Sequence, residues 1–237
     1  MKIKNCIKYI LLSAVLIPFI ALSSQAAVIA VNAGHQASSN HEKEALGPSS
    51  AVMKLKVSKG TRGIVTLTEE YELNLQNALL LREELEKRGH TVIMVRETND
   101  VNISNRERVE FALANGAELI INLHANAAGT KQPKDMHGVM TLCRSAKNPF
   151  NPKLYAAERH LAVCVQNGIC SATGAKSIGI IETDSMTGIN WSTVPSIIAE
   201  VGYMTNAEED IKLSDEAYRR RIARGIADGI ENYLDAR

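Results

Sequence analysis

The sequence predicts a single α/β domain with a mostly parallel, twisted central sheet flanked by helices. Three observations predict it. Between residues 28 and 123, short β-branched runs alternate with helical stripes in the order strand, helix, strand, helix, strand, the pattern of a parallel α/β sheet. Two of the strand-like runs, Val28–Asn32 and Leu119–Leu123, empty directly into small-residue loops carrying a histidine, and the strand ends of open α/β sheets are where ligands bind. Beyond the N-terminal stretch, the 237 residues leave 211 for the folded part, which fits one domain with a sizeable core.

The first 26 residues read as a secretory signal peptide cleaved after Ala26. Lys2, Lys4 and Lys8 precede an apolar stretch, Ile10–Leu22, and Ser-Ser-Gln-Ala leads up to Ala27, the three-part layout of an export signal. The apolar stretch falls short of the roughly 18 to 20 residues of a spanning helix, and Pro18 interrupts it. Secretion to the cell envelope is therefore expected, with no stable membrane span after processing. The whole chain carries 27 basic and 26 acidic side chains; losing three lysines leaves 24 against 26, a formal charge of −2. A nucleic-acid partner is excluded on that balance.

The domain, 27–237, opens with the strand Val28–Asn32. Residues 36–63 follow as a polar stretch with Gly47, Pro48, Gly60 and Gly63 and no sustained period; a loop that long is usually functional. From Glu70 the residues Leu73, Leu75, Ala78, Leu79, Leu81 and Leu85 draw an apolar stripe on a helix that stops at Gly89, a residue suited to a helix C-terminus. Thr91–Val95 is the second strand, Ser104–Asn115 a helix with Ser104 as N-cap, and 118–123 the third strand. After a loop at 125–136, Gly138–Leu142 is strand-like and Leu154–Ser171 helical. Glycines and polar residues dominate 174–192 apart from Ile178–Ile181, Pro195–Val201 is the last strong strand, and Asp215–Leu234 repeats apolar residues at helical spacing.

Cysteine is sparse. Cys6 leaves with the leader, and Cys143, Cys164 and Cys170 do not make a disulfide framework or a CxxC site. Cys164 and Cys170 pair only if the fold brings them together; otherwise all three behave as small hydrophobes. Cys143 as a nucleophile would need a cationic or His neighbour.

Three candidate ligands sit at comparable places: His35 after the first strand, His124 after the third, and a glutamate at the start of the first long helix, where Glu69, Glu70 and Glu72 compete. Right-handed crossovers bring strand C-termini and the following helix N-termini to one side of a sheet. Two imidazoles and a carboxylate form a typical catalytic zinc set that leaves a fourth position for water, lowering the pKa of that water to about 7. Glu200, at the end of the last strand, is either the carboxylate beside that water or the partner of an arginine within 219–224.

Taken together, Gly34-His35, Glu70-Tyr71-Glu72-Leu73, Asn122-Leu123-His124-Ala125-Asn126 and Glu200-Val201-Gly202-Tyr203-Met204-Thr205-Asn206 resemble, in order and over essentially the whole mature chain, the zinc-dependent N-acetylmuramoyl-L-alanine amidases of bacterial cell walls. The resemblance implies that His35, Glu70 and His124 bind one catalytic Zn2+ and that Glu200 is the catalytic carboxylate. It implies peptidoglycan as substrate, cut at the amide between N-acetylmuramic acid and L-alanine. The alternatives are a zinc peptidase acting within the stem peptide and a non-catalytic wall-binding or regulatory domain. Where the family commonly has Asp-Pro-Gly-His-Gly-Gly, this chain has Asn32-Ala33-Gly34-His35-Gln36-Ala37, which removes a carboxylate beside the first ligand. The stretch between His35 and Glu70 is longer than usual and is expected to shape the substrate groove. His41, His90, His137 and His160 are read as structural or solvent-facing, and Trp191 as a core residue rather than a sugar platform.

Overall fold

The computed structural model describes residues 26–129 and 135–237; the expected leader, up to residue 25, lies outside them. In chain order the elements are β1 (Val28–Ala33), β2 (Asn40–Ala45), β3 (Met53–Val57), α1 (Glu70–Lys87), β4 (Thr91–Met94), α2 (Asn105–Ala114) and β5 (Leu119–Asn126). They continue with β6 (Val139–Cys143), α3 (Tyr155–Thr173), β7 (Ser177–Glu182), α4 (Thr187–Asn190), β8 (Ser196–Tyr203), α5 (Ala207–Ser214) and α6 (Glu216–Leu234). No helix among the described residues is long and apolar enough to cross a membrane.

Six strands form one sheet in the order β4-β1-β5-β8-β6-β7. The first four run parallel; β6 pairs antiparallel to β8, and β7 parallel to β6. The sheet is thus mostly parallel, as the alternation predicts. Because side chains alternate across a strand, each strand sends one set of residues to each face. Ile29 and Val31, then Leu119, Ile121 and Leu123, then Ile197, Ala199 and Val201 join one core beneath α1, α3 and α6. The intervening residues Asn32, Asn122, His124, Ile198 and Glu200 therefore face the other way. On that second face two smaller apolar clusters pack, one around Ala30, Ile120, Val109 and Ala112 under α2 and one of Leu142, Ile189 and Ile198 under α4, and the strand ends between them carry polar groups.

The helical layer is tight where α3 crosses α6. A Cβ on Gly225 would lie 2.5 Å from the Gly168 carbonyl oxygen, and one on Gly168 would lie 2.1 Å from the Gly225 oxygen. Backbone, rather than a flexible side chain, blocks both. Gly225→Ala is expected to destabilise the fold by about 1–3 kcal/mol, the usual cost of overpacking, read as a lower midpoint in urea unfolding. An unchanged midpoint would show that the two helices separate freely.

Besides the short helix α4 inside 174–192, the sequence and the structure part company in two places. Residues 36–63 contain an antiparallel ladder, with Lys43 opposite Leu55 and Ala45 opposite Met53. The alternation Met53-Lys54-Leu55-Lys56-Val57 carries a period of two that the surrounding glycines and polar residues mask. The Trp191 indole nitrogen donates to Ala45 O at 2.9 Å and the Asn190 amide donates to Leu46 O at 3.3 Å, while the Glu44 carboxylate accepts from Arg106 N at the start of α2. Trp191 is half-buried, stacked under the Arg106 guanidinium at 4.1 Å, and acts as the peg of this hairpin. The second difference is α5, which begins at an Asn206 side chain accepting from Glu208 N and Glu209 N.

Candidate metal centre

His35, Glu70 and His124 converge although 35 and 54 residues separate them along the chain. His35 Nε2 lies 3.1 Å from Glu70 Oε1, His124 Nδ1 lies 3.2 Å from the same oxygen, and the two nitrogens are 3.1 Å apart. A tetrahedral ion with bonds of about 2.0–2.1 Å separates neighbouring ligand atoms by roughly 3.3 Å. The three donors thus already stand at the edge length such an ion requires. Among the described residues they form a group able to hold a metal, with ligand atoms all within 4.8 Å of one another.

The local structure explains each placement. Just past β1 comes Gly34, whose missing side chain makes room for the His124 ring: a Cβ there would lie 2.3 Å from His124 Cε1. His35 then turns at φ 62°, a left-handed conformation unusual for a residue with a side chain. Two buried arginines hold that turn. Arg96 donates to Ala33 O (2.9 Å) and Gly34 O (3.0 Å), and Arg108 donates to Ala33 O (2.8 Å) and His35 O (2.9 Å). Burial lowers both guanidinium pKa values, to about 10 and about 9 respectively, so both stay charged at neutral pH. Asn32 Oδ1 and Gln36 Oε1 also accept from Arg108, at 2.9 and 3.0 Å. Two of the four departures from the family pattern, Asn32 and Gln36, therefore supply neutral amide acceptors to a buried cation.

Ser58, just past β3, faces the far nitrogen of His35: His35 Nδ1 lies 2.9 Å from Ser58 O. A proton on Nδ1 donated to that carbonyl leaves Nε2 with its lone pair toward Glu70 and His124. Gly60 follows, and a Cβ there would lie 2.5 Å from Glu70 Oε2 and 2.9 Å from His35 Cδ2.

Of the three competing glutamates, only Glu70 turns inward. Its Oε1 accepts from Ala125 N (3.2 Å) and Asn74 Nδ2 (3.1 Å), and its Oε2 from Thr61 N (2.9 Å). Glu69 instead pairs with Lys59 at 3.0 Å, and Glu72 reaches back to the Glu69 N–H. Burial alone would raise the Glu70 carboxyl, but hydrogen bonds and charge from His124 and His35 outweigh it and hold the group well below the usual carboxylate range. Burial lowers the His124 pKa, favouring the neutral imidazole that a ligand must be.

Glu200 pairs in register with His124 across β5 and β8, so the two side chains lie side by side on the same face. No arginine of α6 reaches it; Arg219 is spent on Leu213 O and Ser214 O. Glu200 Oε2 is buried and has no hydrogen-bond partner among the described residues. Burial, and secondarily the charge of Glu70, push its carboxyl up to about 8. An orphaned buried carboxyl is costly, and a water or a substrate amide in front of it would satisfy it.

The remaining candidates fall elsewhere. Cys143, Cys164 and Cys170 are free thiols, and burial pushes the Cys143 thiol up to about 12, the reverse of nucleophile activation. His41, His137 and His160 are exposed. His90 is buried and pairs with Glu231 while accepting from Ala27 N. Sequence reasoning missed Arg96, Arg108 and Ser58, because the backbone atoms they touch carry no residue-type signal.

Residues 29–232 match the family model described as N-acetylmuramoyl-L-alanine amidase. The chain is 29% identical to the Bacillus subtilis protein YqiI over 166 residues, covering 70% of this chain and 75% of YqiI. It is 28% identical to the N-acetylmuramoyl-L-alanine amidase LytC of Bacillus subtilis over 164 residues, covering 69% of this chain but only 31% of LytC. The solved catalytic domain of CwlV, an N-acetylmuramoyl-L-alanine amidase from Bacillus (Paenibacillus) polymyxa var. colistinus, superposes with a TM-score of 0.69 at 27% identity, over 89% of this chain and 99% of that one. With the match running from β1 into α6 and spanning every residue that builds the centre, the chain belongs to the N-acetylmuramoyl-L-alanine amidase family of enzymes.

Proposed function

We propose that the chain is a zinc-dependent hydrolase of peptidoglycan, exported to the cell envelope after removal of residues 1–26, with 27–237 as its catalytic domain. The bond cut is the amide between the lactyl group of N-acetylmuramic acid and L-alanine. The observation that carries this reading is the 3.1–3.2 Å triangle of His35, Glu70 and His124 beside Glu200, whose buried Oε2 has no partner among the described residues. His35 Nε2, His124 Nδ1 and the Glu70 carboxylate would hold the ion. When bound, zinc lowers the pKa of a water from about 15.7 to about 7 and polarises a carbonyl oxygen.

Glu200 does the proton work. Its carboxylate accepts the proton of the attacking water and returns it to the leaving nitrogen of L-alanine, the two roles of one general acid–base group. Glu70 stays ionised throughout, and Ser58 and Arg108 keep the His35 ring and backbone in place. Ser58, just past the hairpin β2–β3 that Trp191 and Asn190 fix, lines the cavity beside His35 and Glu200.

The deciding experiment is a digest of purified peptidoglycan analysed by mass spectrometry, with zinc measured on the same protein. Glycan strands bearing free lactyl carboxyls, together with intact peptides beginning in L-alanine, are expected. Peptides cut internally would replace this reading with a stem-peptide peptidase, and glycan left untouched by zinc-loaded protein would replace it with a binding domain.

The arginine clamp gives a second expected result. Arg108→Met removes the donors to Ala33 O and His35 O and should weaken zinc affinity about 10–100-fold, the usual effect of removing an outer partner of a ligand. Competition with a chromophoric chelator measures it. An affinity equal to that of the wild type would show that the His35 turn holds without Arg108.

A further inference from the structure

The end of the sheet opposite the metal centre is organised around one backbone nitrogen. Ala27 N, at the entry to β1, donates to His90 Nδ1 at 3.2 Å, and His90 Nε2 pairs with Glu231 in the last turn of α6. Ala27 is only 4% exposed, and the His90 side chain is fully buried. Because the Ala27 N–H points at Nδ1, that nitrogen keeps its lone pair, and the ring proton sits on Nε2 and goes to the Glu231 carboxylate. The pair is thus locked in one tautomer and carries the single negative charge of Glu231. The chain is pinned on both sides here, since Thr91 N donates to Ala27 O at 3.0 Å and Glu118 N to Val28 O at 2.8 Å.

Charge is out of balance at this spot. A second carboxylate, Glu118, accepts from Val28 N at 3.0 Å, one residue further on. Among the described residues the only lysine or arginine paired with either carboxylate is Arg237, 3.8 Å from Glu118. Two carboxylates and one guanidinium leave a negative charge without a counter-charge. While Ala26 precedes it, Ala27 offers an amide N–H, which brings hydrogen bonding and no charge. Cleavage after Ala26 turns the same nitrogen into an α-ammonium group. Ala26 is exposed, so its departure opens that side of the nitrogen to water, where the added N–H bonds are solvated while the existing one stays on His90. A charge at a buried position is tolerated when it is paired and hydrogen-bonded, and this nitrogen meets both conditions.

Resting on the reading that residues 1–26 are removed, we propose that His90 and Glu231 form a receptor for the α-ammonium group of Ala27, so that processing itself completes the fold and the mature chain is more stable than the same domain with residues still attached ahead of Ala27.

Two forms of the domain provide the test. One begins at Ala27, released from a fusion by a protease that cuts directly before it; the other begins at Gln25, which carries the terminal charge two residues away. The unfolding constant from urea titration should be at least about fivefold smaller for the Ala27 form, in keeping with a hydrogen bond to a charged group. Glu231→Gln keeps the shape and removes the charge, so it should bring the ratio of the two forms to within about twofold of one. A Glu231 that only packed would weaken both forms alike and leave the ratio as it was. If the glutamine variant does not fold, amine labelling of the two unsubstituted forms decides. Acetic anhydride should modify the docked Ala27 amine at least about tenfold more slowly than the free Gln25 amine, because the docked nitrogen must first leave His90 by a local opening. Equal unfolding constants, a ratio that Glu231→Gln leaves unchanged, or equal labelling rates would each overturn the proposal. N-terminal sequencing of the protein exported by a bacterial host tests the processing position separately. A first residue other than Ala27 would overturn that reading, and the link to export with it, whatever the unfolding comparison gives.

Discussion

Glu200→Gln should keep zinc at one ion per chain while turnover on muramyl peptides falls by about 10²–10⁴-fold, the contribution typical of a positioned acid–base group. The reasoning is steric as well as chemical. Glutamine has the shape of glutamate, and the position holds no ion pair or hydrogen bond among the described residues that the change would break. Removing a buried carboxyl with no partner also relieves a desolvation cost, so the thermal midpoint should not drop. Steady-state hydrolysis with parallel metal analysis reads both quantities. A variant with near-wild-type turnover would remove Glu200 from the chemistry, and a variant that lost zinc would make it a ligand.

The second large effect is at His124. His124→Ala should lose both zinc and activity, because two donors do not hold a zinc ion against water as three do. The fold should survive. Glu70 would still accept from Thr61 N, Asn74 Nδ2 and Ala125 N, so its charge is not stranded, and the β5 ladder needs no side chain at 124. His160→Ala is the control: that imidazole is exposed, beside Tyr233 at 5.4 Å, and its loss should leave metal content unchanged. Zinc retained in His124→Ala would mean that the ion binds elsewhere.

The elements that were legible in advance are those with a strong period. The stripe from Leu73 to Leu85, the buried run at 119–123 and the terminal repeat from Ala217 to Tyr233 emerge as α1, β5 and α6 within a few residues of where the pattern places them. The hairpin at 40–57 was not legible, because its strands lie against α2 and Trp191 rather than in the main sheet and expose Met53 and Leu55 to solvent. Of the site, the residue types and their positions at strand ends were readable for His35, His124 and Glu200. For Glu70 the pattern of residues alone left three glutamates open, and helix phase with the Lys59 pairing of Glu69 separates them.

By itself the sequence determined which residues lie on each face of each strand, since alternation is a local property of extended backbone, and that two histidines follow strand-like runs. Only the tertiary structure decided that the facing nitrogens of these imidazoles stand 3.1 Å apart, that Arg96 and Arg108 hold the backbone turn presenting one of them, and that Glu200 faces them with no partner among the described residues for its buried oxygen. The physical reason is that distances of a few ångströms between residues dozens of positions apart depend on strand order and register. Those are set by the summed packing of the whole core, and no short stretch of chain encodes that sum.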